Sequence, residues 1–455
     1  MDGILKSSST LNSDVRNLIT IKSVKNAKIS PQNPEVIVQP RKLLSTPCQI
    51  NKVHPLITEF NDPEFFHRSL IPVLTFSQLF GIFPISRVSN KNPKMLNFNV
   101  KSFITFYSTI VLMAIFYLAC KSIVILIQTV NKTGGCTLDT EGISGGVFNA
   151  AYCVCVFIQC LFFFMLPKKW INLQNKWEDM EKKLDKSNQD VPRLSRKFKT
   201  IFLIIIILSI IEHVGWNINF QNAKDNHKSC DEVWINLSNS NNAVNNLQTY
   251  FLMTAATYTA YMWNFSDMFI ILVSVGLAER YKHLNKFALA SGTCNNHENY
   301  WNQLRINYSI LSNLVKETDN VLSPLIFISV GHNFFYICLQ LFIGVSFDDL
   351  NSFNISKVYG IYSFVFIVMR AICVLYSIAR INDHSKIILP IIYQCPLSKY
   401  TNETYRLQCQ LTSDEIALTG MKFFSITRGF ILTVAGAMVT YEIILLQFSY
   451  NKRRF

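Results

Sequence analysis

The sequence predicts an all-α membrane protein with seven transmembrane helices and its N-terminus in the cytoplasm. Half of the 455 residues are hydrophobic and 16% are charged, whereas charged residues make up about a quarter of a typical soluble domain. Seven apolar segments are each long enough to cross a bilayer core, which takes about 20 helical residues. Lysine and arginine collect in alternate loops, and this asymmetry indicates the orientation.

The region before the first span has two parts. Residues 1–60 are rich in Ser, Asn and Lys without apolar periodicity, so they predict a disordered cytoplasmic tail that cannot bury enough apolar surface to fold. Residues 61–99 contain the apolar segment Phe65–Ile85, which two prolines and a glycine interrupt. We interpret it as an interfacial or re-entrant helix, because an eighth span would place the basic N-terminus outside.

The seven predicted spans follow in order, and the loops between them differ in size. The spans are Val100–Thr129, Ile143–Leu166, Thr200–Gln221, Tyr250–Leu277, Val321–Phe347, Val358–Ile381 and Ile426–Phe448. The mixed charges of Trp170–Lys186 are typical of a helix that leaves the membrane, and Glu279–Asn320 continues the fourth span and returns to the fifth. Most of the soluble mass is therefore expected on the inner side.

Basic residues give the orientation. The N-terminal segment and the three loops on its side carry 31 Lys and Arg, whereas the three alternate loops carry 4. The positive-inside tendency places the richer side in the cytoplasm. The short extracellular tail that this implies, 449–455, carries three basic residues and argues weakly against the topology.

Two further features of the predicted outer loops agree with this orientation. One glycosylation acceptor lies in each loop, at Asn131, Asn236 and Asn354, although such triplets also arise by chance. Cys136 and Cys230 are the two cysteines of these loops. They form either an extracellular disulfide or two free thiols.

Motifs exclude several classes of protein. The nucleotide-binding, zinc-protease and serine-hydrolase patterns are absent, so we expect no enzyme, no cofactor and no nucleic-acid partner. Cys153, Cys155 and Cys160 lie in an apolar span, where cysteine usually acts as a small hydrophobe, and we expect no metal site there. A G-protein-coupled receptor would have its N-terminus outside and Asp-Arg-Tyr after its third span, and this sequence predicts neither feature. A transporter would show paired broken helices, which the predicted spans lack.

The C-terminal third carries the most distinctive string. Thr440-Tyr441, five residues and then Gln447-Phe448 end the last span. This ending, together with Ala379–Pro390, Thr401–Gln410, Ala417–Phe448, Phe65–Ile85, Phe265–Arg280 and His332–Leu341, resembles the insect gustatory receptors, in particular their sugar-taste subfamily. The resemblance extends over nearly the whole chain beyond residue 60.

This resemblance implies the insect chemoreceptor channel fold and a ligand-gated, non-selective cation channel with four subunits. Residues 100–381 would be the ligand-binding bundle, 382–425 the cytoplasmic anchor and 426–448 the pore-lining helix. The ligands would be small sugars. The receptor would be a homotetramer, or a heterotetramer with other sugar gustatory receptors, among the lipids of the plasma membrane of gustatory neurons. The alternatives are a seven-span receptor that signals through a cytoplasmic partner and an orphan transporter.

The last span permits a physical account of a gate. Thr440, Ile444 and Gln447 follow the spacing i, i+4, i+7, so they share one helical face, and Phe448 adjoins it. Four copies around an axis would form rings of hydroxyl, apolar and amide groups, and a narrow apolar ring blocks ions by dewetting. The alternative is a helix that faces lipid.

Three spans carry the mixture of polar and aromatic groups that a buried saccharide requires, because its hydroxyls need hydrogen bonds and its C–H faces suit aromatic rings. The candidate ligand-binding residues are Glu212, Trp216 and Asn217 in the third span, Tyr258 and Tyr261 in the fourth, and Asn333, Tyr336 and Gln340 in the fifth. Three roles are open for Glu212: its carboxyl binds sugar, it forms a salt bridge with a residue such as Arg370, or it is protonated and neutral. Asp267 lies deeper and is expected to be structural, paired with a His or Arg.

Overall fold

A computed structural model describes residues 65–132, 142–187, 193–225, 243–291, 298–346 and 355–454, all within one compact unit. Its helices are α1 Phe66–Gln78, α2 Phe103–Lys132, α3 Gly142–Met165, α4 Pro167–Ser187, α5 Leu194–Asp225, α6 Ala243–Ser291, α7 Glu298–Ser346, α8 Ile355–Ser385, α9 Leu389–Tyr393, α10 Asn402–Ser413 and α11 Arg428–Arg454. Strands β1 Thr419–Gly420 and β2 Phe424–Ser425 pair antiparallel. The predicted disordered tail, Cys136, Cys230, Asn236 and Asn354 lie outside the described residues. Asn131 lies exposed in the last turn of α2.

Within the described ranges, six helices are long and apolar enough to cross a membrane. They cover Phe103–Asn131, Gly146–Met165, Leu194–Asn219, Thr257–Leu289, Glu298–Leu341 and Lys357–Tyr393, which correspond to the first six predicted spans. The predicted seventh span lies in α11, whose 27 residues extend about 40 Å. The protein is an all-α membrane protein, as predicted.

Helices α6 and α7 are much longer than a membrane requires. Each has 49 residues and therefore extends about 74 Å, whereas a bilayer with its headgroups is about 40–45 Å thick. Both helices continue past the membrane toward the connection at residues 292–297, which confirms the predicted continuation of the fourth and fifth spans as one helix each. Helix α6 is the central helix, because 94% of its most apolar stretch is buried inside the protein.

Helices α1 and α4 pack against the inner part of α6. The ring of Phe66 stacks on Trp177 with a centroid distance of 3.9 Å. Glu181 accepts a hydrogen bond from the backbone N–H of Phe66 at 3.1 Å and forms a buried ion pair with Arg280 at 2.6 Å. Gly276 permits this close packing, since a Cβ there would lie 2.6 Å from Cε2 of Phe66. Helix α1 has 13 residues, too few to span a membrane, and its entry into the bilayer stays a prediction.

The segment between α8 and α11 is attached to α7 by ion pairs. Arg305 on α7 pairs with Glu403 on α10 at 2.6 Å, and Arg406 and Arg305 hold the pKa of the Glu403 carboxyl below its usual value by hydrogen bonding. The buried carboxylate of Asp319 accepts the backbone N–H of Thr419 at 2.6 Å and pairs with Lys422 at 2.5 Å. The β1–β2 hairpin is thereby fixed to α7, and it leads directly into α11.

Candidate functional site

A buried ion pair connects α6 and α8 in the middle of the bundle. Nε of Arg370 lies 2.8 Å from Oδ2 of Asp267, and both side chains are at most 3% exposed. Arg370 also donates to the side-chain oxygens of Asn264 and Asn333. Its guanidinium lies 4.1 Å from the ring centroid of Trp263. The cation therefore has an ion-pair partner, two hydrogen-bond acceptors and an aromatic ring, which offset the cost of burying it within a membrane span.

The carboxylate of Asp267 is equally well satisfied. It accepts hydrogen bonds from Ser329 at 2.5 Å and from the Asn333 amide at 2.9 Å. The expectation that Asp267 pairs with a basic residue is confirmed, whereas the alternative pairing of Glu212 with Arg370 is wrong, because Asp267 takes that position. Asn333, a candidate ligand-binding residue, uses its amide nitrogen and its amide oxygen inside this network.

An aromatic group lies beside the ion pair. The imidazole of His332 stacks on Trp263 with centroids 4.4 Å apart, and Tyr336 contacts Trp263 at 4.9 Å and His332 at 5.2 Å. Tyr152 of α3 completes the group at 5.8 Å from Tyr336. Nε2 of His332 and Nε1 of Trp263 are buried without a hydrogen-bond partner. The group thus offers ring faces together with two unused polar atoms.

A chain of hydrogen bonds connects α5, α8 and α7. The carboxyl of Glu212 on α5 accepts from the hydroxyl of Tyr359 at 3.1 Å and from Ser363 at 3.5 Å, both on α8. Ser363 accepts in turn from the amide of Gln340 on α7 at 3.1 Å. The amide oxygen of Gln340 is buried without a partner. Two predicted residues from different spans, Glu212 and Gln340, therefore meet through α8.

The two groups form one site, because Tyr336 and Gln340 are one turn apart on α7. We call it the polar–aromatic site: Tyr152, Glu212, Trp263, His332, Tyr336, Gln340, Tyr359 and Ser363, from five helices. It combines ring faces, a carboxyl and an amide. Such a combination can bind a neutral, hydroxyl-rich ligand.

Tyr258 and Tyr261 lie on another side of α6. The hydroxyl of Tyr258 is 2.8 Å from that of Tyr107 on α2. The ring of Tyr261 stacks on Phe80, which follows α1, at 3.6 Å. Both tyrosines thus pack toward α1 and α2, and the structure does not bring them together with the polar–aromatic site.

Trp216 and Asn217 lie farther along α5. Trp216 stacks on the imidazole of His213 at 5.8 Å, and the Asn217 amide donates to the backbone carbonyl of His213 at 2.9 Å. The imidazole of His213 contacts the hydroxyl of Thr257 on α6 at 3.2 Å. These two candidates are neighbours of His213 on α5.

Sequence reasoning missed the contribution of α8. Tyr359 and Ser363 hold Glu212, and neither was among the candidates. A signal was present, because Tyr359, Ser363 and Arg370 follow i, i+4, i+11 spacing and share one face of an otherwise apolar span. His332 was also not among the candidates.

Helix α11 packs on one face only. Val434 and Met438 line a small cavity against α7 and α8, whereas Thr440, Ile444 and Gln447 are exposed. At about 100° per residue, Thr440 and Gln447 lie on the far side of the helix from Val434 and Met438, and Ile444 lies about 100° from them. The Thr440 hydroxyl donates to the carbonyl of Gly436 at 2.9 Å. Phe448 continues the helix, and its side chain is outside the described set.

The sequence is similar to a known protein family and to individual receptors of one insect. The sequence profile of a family described as trehalose receptor matches residues 22–454. The Drosophila melanogaster protein "Gustatory receptor 5a for trehalose" is 27% identical over 401 residues, which are 85% of this chain and 86% of that protein. "Gustatory receptor for sugar taste 64f" from the same organism is 26% identical over 400 residues, 84% of this chain and 81% of the relative.

Solved structures share the fold. The insect olfactory receptor OR5 from Machilis hrabei, in complex with eugenol, matches with a TM-score of 0.63 over 84% of this chain and 98% of that chain, at 14% sequence identity. The structure of OR5 described without eugenol matches with a TM-score of 0.60, at 13% identity. The architecture is thus that of an insect chemoreceptor.

Proposed function

The chain belongs to the trehalose receptor family of insect gustatory receptors, and from this premise we propose that it is a sugar-sensing receptor that opens as a ligand-gated, non-selective cation channel. The ligand is a small sugar that binds in the polar–aromatic site. The receptor acts as a homotetramer, or as a heterotetramer with other sugar gustatory receptors, in the plasma membrane of gustatory neurons. Membership of this family supports a multi-pass receptor for sugar, and to this we add the channel and the four-subunit assembly.

The meeting of Glu212, Tyr359 and Gln340 beside Tyr336 is the observation that supports sugar binding. A saccharide that leaves water needs a partner for each buried hydroxyl, because an unpaired one costs about 1–3 kcal/mol. The Glu212 carboxyl and the free amide oxygen of Gln340 accept hydrogen bonds, and Tyr336 offers an aromatic ring to C–H groups. Arg370 is neutralised by Asp267, so the site does not select an anion.

The exposed face of α11 supports the channel. Thr440, Ile444 and Gln447 are exposed in the single subunit, whereas Val434 and Met438 pack against α7 and α8. A hydroxyl and an amide are poor groups to face lipid, whereas four copies around an axis would line a water-filled path. Ile444 would then form the apolar ring that keeps the closed pore dry.

One helix links the proposed sugar site to the proposed gate. Helix α7 carries Tyr336 and Gln340 at one end and Asp319 nearer the other. Asp319 holds Thr419 and Lys422 of the hairpin that enters α11. A sugar that shifts α7 would therefore move the start of the pore helix through this carboxylate.

The binding part of the proposal is tested with sugar dose–response currents in oocytes. We expect Tyr336→Ala to weaken the apparent affinity by about 5- to 150-fold, which corresponds to 1–3 kcal/mol. Tyr359→Phe should weaken it by about fivefold, because the Glu212 carboxyl loses one hydrogen bond. The matched control is Tyr362→Phe, three residues along α8. The Tyr362 hydroxyl donates to the carbonyl of Leu208 on the exposed surface of the bundle. Equal responses of both Tyr→Phe variants would reject this site.

The channel part is tested without sugar. Ile444→Ser should give a constitutive cation current because it wets the proposed apolar ring. Val439→Ser is the control, since Val439 is exposed but lies about 140° around the helix from Ile444. Gln447→Ala should alter the relative permeability of Na⁺, K⁺ and Ca²⁺. A different result would favour the receptor that signals through a cytoplasmic partner. In that case the sugar response vanishes when G-protein signalling is blocked, and Ile444→Ser and Gln447→Ala leave the resting current and the ion permeability unchanged.

A further inference from the structure

An open cleft lies between α6, the end of α8 and the start of α11, away from the polar–aromatic site. It is lined by Lys282 of α6, by Tyr376, Arg380, Asn382, Asp383 and His384 of α8, by Lys386 and Ile387 of the following turn, and by Arg428 of α11. Four of these side chains are lysine or arginine, and one is a carboxylate. The lining therefore has a clear excess of positive charge.

The two lysines are available to a ligand. Lys282 and Lys386 are exposed and form no ion pair with any residue that the structure describes. The arginines are held in place instead: Arg428 pairs with Asp383 at 2.7 Å, and Arg380 lies 3.4 Å from Glu279. The cleft thus has two oriented guanidinium groups and two free ammonium groups, the donors that proteins use for phosphate.

The predicted span boundaries place the cleft at the depth of lipid headgroups. Lys282 comes five residues after Leu277, where the predicted fourth span ends, Arg380 is in the last turn of the predicted sixth span, and Arg428 is the first residue of α11. The predicted orientation puts all three at the cytoplasmic face. That leaflet carries the anionic lipids of a cell membrane.

We propose that this cleft binds the phosphate group of an anionic lipid of the cytoplasmic leaflet. A phosphomonoester on an inositol headgroup has the charge and the reach to contact Lys282 and Lys386 together. If Asp383 releases Arg428, the guanidinium of Arg428 would add a bidentate contact to the phosphate. A soluble phosphate has the same chemistry, but the position of the cleft at the membrane surface favours the lipid.

The site also connects the elements that a gate would use. A headgroup bound between Lys282, Lys386 and Arg428 would join α6 and the end of α8 to the first residue of α11. This consequence rests on the proposed channel function, whereas the binding itself does not. Binding and current are therefore measured separately.

The test uses the purified full-length protein in nanodiscs of phosphatidylcholine with a minor fraction of fluorescent phosphatidylinositol bisphosphate. We expect Lys282→Gln with Lys386→Gln to weaken binding of this lipid by tenfold or more, since each lysine near a membrane surface contributes about 1 kcal/mol. Asp383→Asn should tighten binding, because it removes the one carboxylate of the lining and frees Arg428. Lys94→Gln with Lys183→Gln is the control, as both lysines are exposed elsewhere on the predicted cytoplasmic side.

Soluble competitors identify the source of the phosphate. Inositol trisphosphate and inorganic phosphate should displace the lipid only weakly. Wild-type affinity in the Lys282/Lys386 variant, an equal loss in the control, or full displacement by inorganic phosphate would each overturn the proposal. None of these measurements needs sugar or current, so failure of this site and failure of the sugar-gated channel can be told apart.

Discussion

Helices α5 and α6 are both membrane spans, and they have opposite surroundings. Only 6% of the most apolar stretch of α5 is buried inside the protein, against 94% for α6. On α5, Leu203, Ile207 and Ile210 are each more than half exposed. The more apolar helix, α5, is thus at the periphery of the helix bundle. In lipid the hydrophobic effect does not drive helices together, so packing and hydrogen bonds decide which helix is central.

The polar residues of the two helices follow the same rule. On α6, Asn264 donates to Ser209 at 2.7 Å, and Asp267 has partners on α7 and α8. The carboxyl that α5 carries in its span, Glu212, turns inward to Tyr359. Polar groups in these spans therefore mark the interior, and the proposed sugar site lies where they gather.

The largest effect in this comparison is expected at the centre of α6. Asp267→Ala leaves Arg370 buried and uncompensated, which costs about 3–5 kcal/mol. We expect little folded protein at the cell surface and a large fall in the melting temperature of the purified receptor. Surface biotinylation and thermal unfolding in detergent measure the two quantities.

A double-variant cycle separates pairing from packing in that result. If the loss reflects an unpaired charge, Asp267→Ala with Arg370→Ala should be closer to wild type than the sum of the single variants. Additive losses would mean that the ion pair is not what makes the centre of α6 sensitive. The contrast with α5 would then rest on packing alone.

Packing is tested at Leu272, which is fully buried on α6. Leu272→Ala should destabilise the receptor by about 2–5 kcal/mol, because the surrounding helices cannot collapse fully into the space. Leu272→Met keeps the volume and should cost less than about 1.5 kcal/mol. Equal melting temperatures of the two variants would contradict a closely packed centre.

A glycine pair gives a smaller effect of defined sign. Gly276→Ala on α6 places a methyl group 2.6 Å from Phe66, so we expect a loss of about 1–3 kcal/mol from overpacking. Gly331→Ala on α7 meets nothing within 4 Å and should be neutral or gain up to about 1 kcal/mol, because alanine favours a helix. Similar thermal stabilities would show that α1 does not pack as closely on α6 as Phe66 indicates.

Much of the fold could be predicted from the sequence, because lipid demands long apolar segments whose backbone is helical. The continuation of the fourth span through Glu279–Asn320 to the fifth was also predicted. The boundaries were less exact: α6 begins at Ala243, whereas the predicted span begins at Tyr250. The β1–β2 hairpin was not predicted, since its register depends on Asp319, a hundred residues away.

The site could be predicted only in part, because a sequence gives the face of a helix but not the neighbour that covers it. Glu212 and Gln340 were found as polar residues in apolar spans, and α8 brings them together. Tyr258 and Tyr261 have the same chemistry as Tyr336 but face Tyr107 and Phe80. Helix α6 is buried all round, so periodicity could not indicate which of its faces meets the site.

The smallest effect is expected on α5, where Ile207→Ala with Ile210→Ala removes methyl groups from side chains that are 55% and 57% exposed. No packed neighbour is lost and lipid fills the space, so each change should stay within about 0.5 kcal/mol, as for exposed sites generally. Melting temperature and cross-linked oligomer size are measured together in lipid nanodiscs. An unchanged receptor would confirm that this face of α5 meets lipid, and the contrast with Leu272 would then be complete. A lowered melting temperature with a smaller cross-linked species would instead mean that another subunit covers the isoleucines, because only a protein neighbour can lose packing there.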